Sequence, residues 1–92
     1  MAKVLVSDPI ADKGIEILEK AGFDLIYNPN PSDDELQIFT RDIDGWIVRS
    51  GTKITSELLK DAHNLQVIGR AGVGVDNIDI QEATNRGIVV MN

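Results

Sequence analysis

Cysteine is absent from these 92 residues and histidine occurs once. Disulfides, thiol catalysis, iron–sulfur clusters and Cys-based zinc sites are thereby excluded. A metal site would have to be oxygen-rich, and no loop is spaced for one. Lack of cysteine also fits a reducing compartment. Positive charge is scarce: nine Lys and Arg stand against fifteen Asp and Glu, a net charge of −6. Such a surface repels phosphate backbones, which argues against generic nucleic-acid or anionic-membrane binding. Long hydrophobic runs are missing too. Met1-Ala2-Lys3 leads straight into Val4-Leu5-Val6, too short a stretch for a signal peptide or a membrane span. The expected location is the cytoplasm. Repeats, linkers and low-complexity segments are also lacking. What remains is 42% apolar and 26% charged residues, the composition of one small globular domain.

Short apolar runs alternate with helical patches along the whole chain. Val4–Val6 reads as a buried strand broken by Ser7-Asp8-Pro9. Ala11, Ile15, Leu18 and Ala21 recur at helical spacing, and Gly22 stands where a helix end takes a left-handed residue. Residues 23–27 read as a second strand. Ser32 and Glu35 form the S-x-x-E capping box of a second helix with an acidic first turn. Residues 45–48 are a third strand, Thr55 caps a helix carrying Leu58 and Leu59, and residues 65–68 are a fourth strand. A glycine-rich loop, Gly69-Arg70-Ala71-Gly72-Val73-Gly74, follows. Asp79 and Glu82 open another helix, Gly87 closes it, and residues 88–91 form a fifth strand.

Continuous apolar strands alternating with helices imply an α/β fold with a parallel sheet covered on both faces. Right-handed crossovers favour the flavodoxin-like order 2-1-3-4-5. Such a sheet normally continues from its last strand into a covering helix. None is present here, so the sequence is expected to be a piece of something longer, lacking its final covering helix.

Open α/β sheets bind ligands beyond the carboxyl ends of their strands. Those ends carry Ser7-Asp8, Tyr27-Asn28, Arg49-Ser50-Gly51, the Arg70–Gly74 loop and Asn92. Two of them present an arginine followed by small residues. Arginine offers fixed, bidentate donors to carboxylate or phosphate, and small neighbours let backbone N–H groups approach an anion. Spacing alone is equally compatible with Arg49 and Arg70 pairing with carboxylates such as Asp8 and Asp76.

Gly72-Val73-Gly74-Val75-Asp76-Asn77 invites a dinucleotide reading, but Asn77 replaces the third glycine of G-x-G-x-x-G and the helix starts late, near Asp79. A Rossmann site is therefore rejected, while a loop offering amides to a small anion stays open beside a purely conformational turn. A phosphoacceptor reading of Asp8 fails because Arg49 stands where an acid is needed. Asp8 beside Pro9 reads as a turn former. His63 falls at a helix end, on the wrong edge for catalysis, Trp46 reads as core, and Ser50 lacks a paired base.

Val48-Arg49-Ser50-Gly51-Thr52-Lys53 and Val67-Ile68-Gly69-Arg70-Ala71-Gly72-Val73-Gly74-Val75-Asp76-Asn77-Ile78-Asp79 together carry a resemblance. So do Lys3–Asp8 and Ala83–Asn92. Over essentially its whole length the chain resembles the N-terminal part of the NAD-dependent D-2-hydroxyacid dehydrogenases. The resemblance implies that residues 1–92 are the first part of a flavodoxin-like substrate-binding domain, with the Rossmann NAD-binding domain absent from this stretch. It implies that Arg49 and Arg70 hold the phosphate or carboxylate of a small phosphorylated 2-hydroxy acid. Ser50, Gly51, Val73 and Gly74 would line the site, the glycine loop's amides meeting the substrate carboxylate. The family's catalytic Arg, Glu and His, and its NAD-binding residues, would lie outside these 92 residues, so this stretch alone is expected to be inactive. A homo-oligomer is expected. Two other readings remain: a stand-alone, non-catalytic anion-binding module, and a related dehydrogenase of the glyoxylate or lactate type.

Overall fold

The strands form where the apolar runs stand, and three of the four described helices begin at a capping side chain; α1 starts at Ala11 without one. The computed structural model describes residues 2–71 and 77–91. Along them run β1 (Lys3–Val6), α1 (Asp12–Lys20), β2 (Asp24–Tyr27), α2 (Asp33–Thr40), β3 (Gly45–Val48), α3 (Ser56–Leu59), β4 (Val67–Arg70), α4 (Ile80–Asn85) and β5 (Val89–Met91). The strands make one parallel sheet in the order β2-β1-β3-β4-β5, as the alternating pattern predicts. Strand order therefore reverses between β1 and β3.

Local chemistry explains most boundaries. Ser32 Oγ accepts the Glu35 N–H while Glu35 Oε1 accepts the Ser32 N–H, completing the capping box of α2. Thr55 and Asp79 accept N–H groups of Leu58 and Glu82 at the starts of α3 and α4. Gly22 and Gly87 follow α1 and α4 with φ of 87° and 75°, a left-handed conformation that costs glycine nothing. β4 sits two residues later than the apolar run 65–68 suggests. Pairing decides this: Gly45 opposes Val67 and Val48 opposes Arg70, so Arg70 is the last residue of the strand. Leu65 is still buried ahead of it.

Period-two alternation divides the sheet into two faces. Leu5, Trp46, Val48 and Ile68 join Leu36, Leu59 and Ala83, from α2, α3 and α4, in one buried core. On the other face, Val4 and Val6 are buried. Toward β5 that face opens into an apolar groove of about 390 Å³, lined by Val4, Leu18, Phe23, Ile47, Val67 and Met91 among others. Among the described residues no helix covers the β3–β5 half of that face. None of the described helices is long and apolar enough to cross a membrane.

Candidate anion-binding site

Parallel pairing brings the carboxyl ends of β1, β3 and β4 to one rim, with the strand-order reversal between β1 and β3. The crevice at that reversal is filled from within. Asp8, just after β1, is only 2% exposed. Its Oδ2 accepts the backbone N–H of Arg49 at 2.8 Å and that of Thr52 at 2.9 Å. The turn former of the sequence reading is thus a buried acceptor that organises the loop after β3. Beneath it, Trp46 Nε1 donates to Ser7 Oγ at 2.8 Å, and Ser7 Oγ and Thr52 Oγ1 share a hydrogen bond of 2.8 Å. Trp46 is core, 1% exposed, and its one polar atom is satisfied as a buried indole requires.

Gly51 passes directly over Asp8. A Cβ at Gly51 would lie 2.7 Å from Asp8 Oδ1, closer than nonbonded atoms tolerate, so the site needs glycine for approach. Arg49, Ser50 and Gly51 are all exposed. Arg49 Nη1 donates to Pro9 O at 3.2 Å; Asp8 meets the backbone of Arg49. Among the described residues, nothing accepts the backbone N–H groups of Ser50 and Gly51, which leaves them to water or a ligand.

Asn77 closes the other side of this loop. Its Nδ2 donates to Arg49 O at 2.7 Å and to Thr52 O at 2.6 Å, and its Oδ1 accepts from Arg70 Nε at 2.9 Å. The amide orientation is unambiguous, because carbonyls only accept and guanidinium only donates. The residue that broke the dinucleotide fingerprint is the link between the two arginine-bearing rims. Arg70 is half-buried, and its Nε is the atom that meets Asn77. The structure therefore brings Arg49, Ser50, Gly51 and Arg70 to one rim. Val73 and Gly74 lie outside the described residues.

A dinucleotide pyrophosphate does not fit what is described at this loop. Asn77 fills the place of the third glycine with an engaged side chain, and α4, six residues long, begins only at Ile80. His63 is exposed in the connection leading into β4, at the amino ends of the strands and away from the rim. The arrangement can hold and orient a small anion; it offers no described side chain poised as a general base.

Residues 4–92 match the family described as D-isomer specific 2-hydroxyacid dehydrogenase, catalytic domain. A D-3-phosphoglycerate dehydrogenase of Sus scrofa is 47% identical over 92 residues, covering 100% of this chain and 17% of that protein. The chain thus spans well under a fifth of that relative's length. A crystal structure of a Pyrococcus horikoshii protein superposes with a TM-score of 0.92 at 40% identity, covering 100% of this chain and 28% of that one. The NAD+-bound 3-phosphoglycerate dehydrogenase of Entamoeba histolytica superposes with a TM-score of 0.87 at 38% identity, covering 99% of this chain and 32% of that one. With the match spanning nearly every residue, the chain belongs to the D-isomer specific 2-hydroxyacid dehydrogenase family.

Proposed function

We propose that these residues are the first part of the substrate-binding domain of an NAD-dependent dehydrogenase that oxidises 3-phosphoglycerate. The proposal extends to a role at the entry to serine biosynthesis, a cytoplasmic location and a homo-oligomeric state. The observation that carries the reading is the joined rim: Arg49 and Arg70, at the ends of adjacent strands, are linked through Asn77 on a chain of net charge −6. The relative of 47% identity, named for this activity, supports the same substrate. Arg49 and Arg70 grip the substrate's phosphate or carboxylate, and the amides of Ser50 and Gly51 add donors. Val73 and Gly74 complete the lining. Oxidation takes a hydride from C2 and a proton from its hydroxyl. The nicotinamide acceptor and the general base belong to parts of the enzyme other than this stretch.

Substitution of either arginine tests this. A hydrogen bond to a charged group contributes about 1.5–3 kcal/mol, so Arg49→Ala and Arg70→Ala should each raise KM for 3-phosphoglycerate roughly ten- to hundredfold in the full-length protein. An unchanged KM in both variants refutes the substrate site. The 92 residues alone should give no NADH absorbance with NAD and 3-phosphoglycerate. They should bind the acid only at about millimolar concentration, with amide shifts centred on residues 49–51 and 70–74.

A further inference from the structure

The loop between Arg49 and Thr52 is held at the same two residues from both sides. Asp8 accepts both of their N–H groups, and Asn77 donates to both of their carbonyls. The sequence separations are 41 and 44 residues to Asp8, and 28 and 25 to Asn77. No local turn propensity therefore sets this geometry. We propose that Asp8 and Asn77 are positioning residues for substrate binding: together they clamp the Arg49–Thr52 loop, and Asn77 ties that loop to Arg70 so that the two arginines present one preorganised anion site. This rests on the substrate reading above.

The clamp has a second consequence. The crevice at the strand-order reversal already holds the Asp8 carboxylate, buried and accepting two amides. A substrate anion is excluded from it by charge and by occupancy. The anion is met instead one layer further out, by the Ser50 and Gly51 amides and the arginine side chains. Asn77 also uses both halves of its amide at once, so rotation of the loop cannot occur without disturbing Arg70.

Four variants of the full-length protein separate this from a general loss of stability. Asn77→Asp keeps the size and an acceptor for Arg70, but sets an oxygen against two carbonyl oxygens. Asp8→Ala removes the acceptor, whereas Asp8→Asn retains one carbonyl oxygen able to take both N–H groups. Arg70→Ala provides the reference loss. Affinities for 3-phosphoglycerate and for inorganic phosphate are measured by calorimetry well below each variant's thermal transition, alongside amide hydrogen exchange at Arg49 and Thr52. Asn77→Asp and Asp8→Ala should weaken 3-phosphoglycerate binding about tenfold or more and speed exchange of the two amides, while Asp8→Asn recovers most of both. Wild-type affinity in folded Asn77→Asp and Asp8→Ala overturns the proposal. So does unchanged amide exchange in those two variants, a readout that needs no ligand and judges the clamp even where wild-type protein ignores 3-phosphoglycerate and the substrate reading fails.

Discussion

Gly51 carries the strictest requirement of any single position described. Its neighbour is Oδ1 of Asp8, a buried carboxylate whose Oδ2 accepts two hydrogen bonds, so moving it strains both. Gly51→Ala should force the carboxylate or the loop aside and cost about 1–3 kcal/mol. Urea unfolding of the variant checks this, and a loss below a few tenths of a kcal/mol would show that the loop yields. Two exposed titrating groups add a pH dependence at opposite ends of the range. Glu35 is held below its ordinary 4.5, first by the Ser32 backbone N–H, then by the Asn28 amide and the Ser32 hydroxyl. Its folded value lies below its unfolded one, so its contribution is complete above 4.5 and fades as pH falls through the folded value. Lys3 is raised above 10.5 by its hydrogen bond to Asp42 and that carboxylate's charge. Its contribution is complete below 10.5 and fades as pH rises beyond it. Both are solvent-screened, so the effects are small and shrink further in salt. Glu35→Gln should flatten the acid limb of a stability–pH profile; an identical slope in both proteins would assign that limb to other carboxylates.

Among the described helices, α2 carries the complete capping box. Eight residues form few internal hydrogen bonds, and α2 buries only Leu36 and Thr40. Both halves of its capping box are formed, and three acidic residues occupy its first turn. Ser32→Ala should cost about 1 kcal/mol, read as a lowered denaturation midpoint at unchanged m-value. A midpoint equal to wild type would mean that α2 is held by packing alone. The starts of α2, α3 and α4 could be read from Ser32, Thr55 and Asp79 because a cap acts within three residues. The start of β4 could not, because its first paired residue is chosen by Gly45 on a neighbouring strand.

The whole molecule is asymmetric in how well its sheet is covered. One face is sealed by α2, α3 and α4, whereas the β3–β5 half of the other forms the apolar groove of about 390 Å³. Val89 and Met91, on the edge strand, are 56% and 54% exposed. Bared apolar surface and an unpaired strand edge both favour association, while the charge of −6 keeps like molecules soluble. These 92 residues, expressed alone, should therefore show a concentration-dependent mass in sedimentation equilibrium. Met91→Lys should shift that equilibrium toward the 10.1 kDa monomer. A monomer at every concentration would mean that neither groove nor edge is adhesive.

Apolar runs, helical spacing, caps and end-glycines specified the succession of elements, because each acts over a few residues. Handedness then left few ways to order the strands, and the observed order was among them. Arg49, Ser50, Gly51 and Arg70 could be picked out because strand ends of a parallel sheet converge on one rim. The roles of Asp8 and Asn77 could not. Beside Pro9, Asp8 has every local mark of a turn, and Asn77 looks like a failed glycine. Their partners in the Arg49–Thr52 loop lie 25 to 44 residues away and meet them only through the register of three paired strands. A one-residue slip in that register would turn side chains to the opposite face, so the packed sheet settles what these two residues do.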